Sequence, residues 1–125
     1  MATVQLNVEN FEETVENNDI VILDFWAEWC GPCKTFGPIF EKVSEEHEDI
    51  TFGKINTEVE QQLAAMFQIR SIPTIAILRQ GIPLFSQPGM VPAEALQDLI
   101  KQVRALDMTE VKAEYEKQVA EHANA

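Results

Sequence analysis

Apolar and polar positions follow two different periods along this chain, and the places where the period changes mark its elements. Thr3 to Leu6 reads as a short strand, and from Asn7 to Val15 the residues Val8, Phe11 and Val15 recur at helical spacing among acidic neighbours. Ile20 to Trp26, Ile-Val-Ile-Leu-Asp-Phe-Trp, is a nearly continuous apolar run of strand length, the pattern of a central strand covered on both faces. After Pro32 the pattern becomes helical: Phe36, Ile39, Phe40 and Val43 form one stripe, with Glu41, Lys42, Glu45 and Glu46 opposite. Pro38 removes a backbone donor inside this helix and Gly37 weakens the same turn, so a kink is expected there.

Ile50 to Asn56 predicts a strand, Val59 to Phe67 a helix and Thr74 to Arg79 a further strand. Gln80 and Gly81 turn the chain into Ile82 to Gln87, and Pro88 at the end suits an edge strand, where a missing N–H does no harm. From Pro92 to Leu106 a helix buries Leu96, Leu99, Ile100 and Val103. The order of elements is that of an α/β domain, a mixed sheet covered by helices, with no internal repeat or low-complexity linker. Beyond it, Asp107 and Glu110 are spaced for a capping box, and Met108, Val111, Tyr115 and Val119 lie on one narrow stripe, predicting a helical tail. The chain thus divides into a domain over 1–106 and a helical extension over 107–125. The tail reads as a surface helix rather than an oligomerisation seam, and a monomer is expected.

With 125 residues, 46% of them hydrophobic, the chain suits one domain with a packed core. The formal net charge is −12, with no basic cluster to neutralise phosphates, so nucleic acid is not an expected partner. Met1 to Glu12 has neither a basic n-region nor an apolar h-region, and no uninterrupted apolar run approaches ~18 residues, which predicts neither export nor a membrane span. Two cysteines, with two residues between them, cannot form the framework of a secreted disulfide scaffold. A reducing, cytoplasmic setting fits.

Those cysteines carry the chemistry. Trp29-Cys30-Gly31-Pro32-Cys33 lies where a buried strand gives way to a helix, placing Cys30 at a helix N-terminus. Unpaired amides there favour a thiolate over a thiol, which makes Cys30 the candidate nucleophile. Cys33, one turn on, is near enough to pair with Cys30 and points back into the protein, the position of a resolving thiol. A structural staple is a poor alternative, since so short a loop removes little entropy from the unfolded chain. Structural zinc needs about four ligands, and neither His47 nor His122 is spaced to complete a set, so no metal is expected. His47 reads as a solvated helix-end residue. Asp24, inside an otherwise apolar strand, is costly to bury ionised and therefore needs a reason to be there, unless it faces water.

The run Asp24-Phe25-Trp26-Ala27-Glu28-Trp29-Cys30-Gly31-Pro32-Cys33-Lys34, with Pro38, Ile69-Arg70-Ser71-Ile72-Pro73-Thr74, Gly81 and Gly89, resembles the thioredoxin family from about Val4 to Leu106. The resemblance implies the thioredoxin fold, with a five-stranded mixed sheet flanked by helices, and a protein disulfide reductase acting through mixed disulfides. It implies that Asp24 serves as general base for Cys33 with Lys54 assisting, and that Pro73 follows a cis bond facing the cysteines. The backbone of Ile72 would then pair with an extended substrate, rimmed by Trp29, Gly31, Pro32 and Gly89. It implies further that no cofactor is bound, since the chain lacks a nucleotide-binding fingerprint, and that electrons come from an NADPH-dependent flavoenzyme reductase. Two rivals share the fold: a client-binding chaperone using the tail, and an oxidant or isomerase, against which Gly31 and Pro32 argue by analogy. Pro88 and Met90 around Gly89, and Asn56-Thr57-Glu58 in place of an aspartate-rich turn, depart from the family pattern.

Overall fold

The computed structural model describes residues 2–123. Its elements are β1 (Thr3–Gln5), α1 (Val8–Glu16), β2 (Ile20–Trp26), α2 (Gly31–Glu45), β3 (Thr51–Asn56), α3 (Gln61–Met66), β4 (Thr74–Arg79), β5 (Ile82–Pro88), α4 (Ala93–Arg104) and α5 (Met108–Ala123). The strands form one five-stranded sheet in the order β1-β3-β2-β4-β5. β1, β3 and β2 run parallel, while β4 is antiparallel to β2 and β5 to β4. This is the mixed sheet of a thioredoxin fold.

Side chains alternate across the sheet with period two, and each face has its own helices. Ile20, Ile22, Phe52, Ile75 and Ile77 meet Phe36, Phe40 and Val43 of α2 and Leu96, Ile100 and Val103 of α4. The opposite face joins Val21, Leu23, Phe25, Ile55, Ala76 and Leu78 to Leu63 of α3, with Phe11 and Val15 of α1 packed against them. β2 is buried along Ile20–Phe25, as its apolar run predicts.

Local chemistry sets the element ends. Asn7 and Asn10 exchange side-chain and backbone bonds as a full capping box on α1. At α5 only half the expected box forms: Asp107 Oδ1 accepts from the amides of Thr109 and Glu110. α2 runs as one helix through Pro38. α3 is shorter than its periodicity predicts, because Asn56 accepts the amides of Glu58, Val59 and Glu60 and holds the chain in a turn first. Val59 consequently stays exposed. The tail stripe is only half used, with Met108 buried and Tyr115 and Val119 exposed.

His47, at the end of α2, is half-buried and hydrogen-bonded on both ring nitrogens. Arg104 donates to its Nδ1 (3.2 Å), which leaves Nε2 to donate to Gln97 Oε1 (2.6 Å), and Gln97 in turn donates to Glu46. Arg104 also grips Asp49 with two bonds, at 2.7 and 2.9 Å, and holds that carboxyl down to about 2. The end of α2 is thereby tied to α4.

Gly53 sits mid-sheet where β3 runs between β1 and β2. A Cβ there would overlap the buried Leu6 side chain and lie 3.3 Å from Leu23 Cδ2. Gly53→Ala should therefore destabilise the fold by about 1–3 kcal/mol through overpacking. Urea unfolding measures this, and a loss below about 0.5 kcal/mol would mean that Leu6 moves aside freely.

Candidate active site

Strand register assembles one half of the site. Ile22 and Phe52 are Cα partners whose side chains both pack under α2 and α4, and two residues on, by the strand period, Asp24 and Lys54 are partners on that same face. Asp24 is fully buried, and Lys54 Nζ lies 3.8 Å from its Oδ2. No hydrogen-bond donor among the described residues reaches either carboxylate oxygen. Burial pushes the Asp24 carboxyl up from 3.8 to about 6, with Lys54 pulling the other way. Lys54 Nζ also stands 5.0 Å from the ring centroid of Trp26.

The other half comes from the start of α2. Cys30 is its N-cap, and Sγ accepts the Cys33 amide at 3.2 Å, so the sulfur sits where the helix offers unpaired N–H groups. Pro32 in the first turn has no N–H to lose there. Cys30 and Cys33 form a disulfide, with Cα atoms 5.2 Å apart. Both are almost equally buried, so they differ in direction rather than exposure. Cys33 lines an open cavity of about 650 Å³ with Trp26, Lys34 and Lys54, whereas Cys30 Sγ lies 3.7 Å from the Ile72 carbonyl oxygen.

Ile72–Pro73 is a cis bond, with Ile72 half-buried and Pro73 buried. The Gly89 amide donates to the Pro73 carbonyl at 2.7 Å, and Gly89 has φ +92, a conformation that favours glycine. Trp29 is 69% exposed, while Gly31, Pro32 and Met90 are exposed around the disulfide. A second groove, of about 620 Å³, runs from Trp29 and Ile72 past Ala64, Ala65, Ile69 and Arg70.

The residues singled out from sequence thus gather in two groups that meet at the disulfide: Asp24, Lys54 and Cys33 on the α2 side, and Cys30, Ile72, Pro73 and Gly89 at the surface. Two neighbours escaped that reading. Glu58, noted only as a departure in its turn, accepts the Trp29 indole N–H and fixes the exposed ring. The β2–β3 register that ends at Trp26 and Asn56 brings the following segments, with Trp29 and Glu58, side by side, and no local sequence pattern signals it. Trp26 escaped because its contact with Lys54 depends on β2–β3 register.

A family model described as thioredoxin matches residues 2–102. The chain is 51% identical to the putative thioredoxin 2 of Streptomyces coelicolor over 120 residues, covering 96% of this chain and 90% of that one. That alignment reaches into α5. It is 39% identical to the thioredoxin of Porphyra purpurea over 102 residues, 80% of this chain and 95% of the other. Among solved structures, a mutant thioredoxin from Halobacterium salinarum superposes with a TM-score of 0.77 at 30% identity, covering 84% of this chain and 92% of that one.

Burial of Asp24 has a signed consequence. The unfolded carboxyl loses its proton near 3.8 and the folded one near 6, so stability falls as pH rises between those values and stays lower above them. Asp24→Ala removes that loss, and its stability relative to the parent should rise by on the order of 2–3 kcal/mol between pH 4 and pH 8. Urea titrations with the disulfide intact measure it; a difference that does not change with pH would show that ionisation of Asp24 is not opposed.

Proposed function

The chain belongs to the thioredoxin family, and from that premise we propose how its residues divide the work of disulfide reduction. It is a thiol–disulfide oxidoreductase, a protein disulfide reductase working through the Cys30–Cys33 pair. The observation that carries this reading is that disulfide, set at the first turn of α2 with Cys30 beside the Ile72 carbonyl.

In the reduced protein the Cys30 thiolate, supported by the helix N-terminus, attacks one sulfur of a target disulfide. A Cys30–target bond forms, the target S–S bond breaks, and the second target sulfur leaves as a thiolate. Asp24 takes the proton of Cys33, whose sulfur then attacks Cys30 Sγ. The Cys30–Cys33 disulfide forms and the first target thiolate departs, two electrons having passed from dithiol to target. Lys54 at 3.8 Å favours the carboxylate form of Asp24 that this step needs. The Ile72 backbone pairs with the extended target, and Trp29, Gly31, Pro32, Pro73 and Gly89 border the contact.

The dithiol itself stores the electrons, so the chemistry needs no resident cofactor or metal. Regeneration requires a reductase that returns two electrons, an NADPH-dependent flavoenzyme in this reading. The setting is cytoplasmic, with the protein acting as a monomer in electron transport and cell redox homeostasis, away from membranes and nucleic acid. No described helix is long and apolar enough to cross a membrane. The domain spans 1–106, and 107–125 is an auxiliary extension carrying α5 rather than a client-holding device.

Mixing each variant with a protein disulfide and following adducts by mass spectrometry tests the division of labour. Cys30→Ser should form no adduct, and Cys33→Ser should accumulate one. Asp24→Asn should form the adduct but release it about ten- to a hundredfold more slowly. Turnover by either cysteine variant at the parent's rate would defeat the scheme.

Removing residues 107–125 tests the auxiliary helix. Met108 is buried, so the loss should cost about 1–3 kcal/mol in stability while reductase activity stays within twofold of the full chain. Loss of activity in a folded truncated protein would instead make α5 part of the site.

A further inference from the structure

Acidic residues outnumber basic ones 21 to 9, and ion pairs among the described residues engage only Lys54, Arg79 and Arg104 of the nine cations. Of the arginines, Arg79 pairs with Asp19 and Arg104 with Asp49, but Arg70 forms no ion pair among the described residues. It lines instead the 620 Å³ groove that shares Trp29 and Ile72 with the redox centre. Ala64, Ala65 and Ile69 give that groove a wall of small and apolar side chains. Glu58, the acid that holds Trp29 at the groove's edge, already accepts the indole N–H.

We propose that Arg70, on this groove between α3 and the loop leading to Pro73, selects an acidic side chain on the stretch of target chain flanking the attacked cysteine. The proposal deepens the reductase reading above and rests on it. The Ile72 carbonyl lies 3.7 Å from Cys30 Sγ, so a target sulfur bonded to Cys30 sits beside Ile72, two residues along the loop from Arg70. An extended target rises about 3.3 Å per residue, which brings its second or third residue from the cysteine alongside Arg70. The small wall residues leave room for that chain, and the guanidinium offers a forked donor matched to a carboxylate. Because the net charge of −12 repels acidic targets as a whole, the preference is tied to position.

The test uses the full chain, reduced, against disulfide peptides of one sequence that carry Glu, Gln or Lys at successive positions from the cysteine. At the second or third residue, kcat/KM for Glu over Gln should be about two to five, the range of an exposed ion pair. At remote positions the ratio should be one or below. Raising NaCl to about 0.5 M should bring the local preference toward one. Arg70→Gln should abolish it, and Arg70→Glu should turn it into a preference for Lys. A ratio of one at every position, or a Glu preference that survives Arg70→Glu, overturns the role of Arg70 while leaving the reductase reading intact. Failure of the parent to reduce any peptide, including the uncharged one, overturns both.

Discussion

Everything in this molecule is hung on β2. Its residues from Ile20 to Phe25 are buried, and it is hydrogen-bonded on both edges, to β3 in parallel and to β4 in antiparallel sense. A slip of one residue would exchange the side chains on its two faces, moving Ile22 and Asp24 to the α1–α3 side and Leu23 and Phe25 to the other. Neither helix layer is shaped for that exchange. The same register that satisfies the two cores therefore also sets Asp24 opposite Lys54 and delivers the chain to Cys30 at the start of α2.

The site inherits a conflict from this arrangement. A strand buried on both faces is the wrong place for a carboxylate, and Asp24 has no hydrogen-bond donor among the described residues and only the Lys54 ammonium at 3.8 Å. Desolvation dominates over Lys54, which is why its proton is held to about 6. Near neutral pH such a group is still largely ionised, yet nearer its proton-binding range than a solvated aspartate near 3.8, the balance on which the proposed general-base role rests. The fold tolerates this locally unfavourable group because the apolar packing around it is extensive.

Much of this was legible in the chain itself. Apolar run length separates β2 from the helices, and the periodicity of α2 and α4 survives into the structure because both helices pack one face on the sheet. Cys30, Cys33 and Asp24 were visible because their residue types are unusual in their contexts. What could not be read are relations between segments far apart in sequence. The bonds that hold the half-buried His47 come from Gln97 and Arg104 on α4 and the fixing of Trp29 from Glu58, whereas the late start of α3 is a local turn in which Asn56 captures three amides. Helical periodicity also promised more for α5 than packing delivers, since Tyr115 and Val119 extend the stripe past the buried Met108.

Local donors, rather than overall charge, govern the redox centre. A net charge of −12 opposes a thiolate and an acidic target alike, but exposed charges farther than a Debye length, about 8 Å at physiological salt, act weakly. Within reach of Cys30 the structure places an amide at 3.2 Å and the N-terminus of a fifteen-residue helix. Lys54 is engaged with Asp24, and Glu58 with Trp29. The near field is therefore set by groups whose positions the backbone fixes, and the acidic surface can vary without disturbing it. That separation lets a strongly acidic chain keep local donors around its redox disulfide, with Arg70 the one arginine of the neighbouring groove among the described residues.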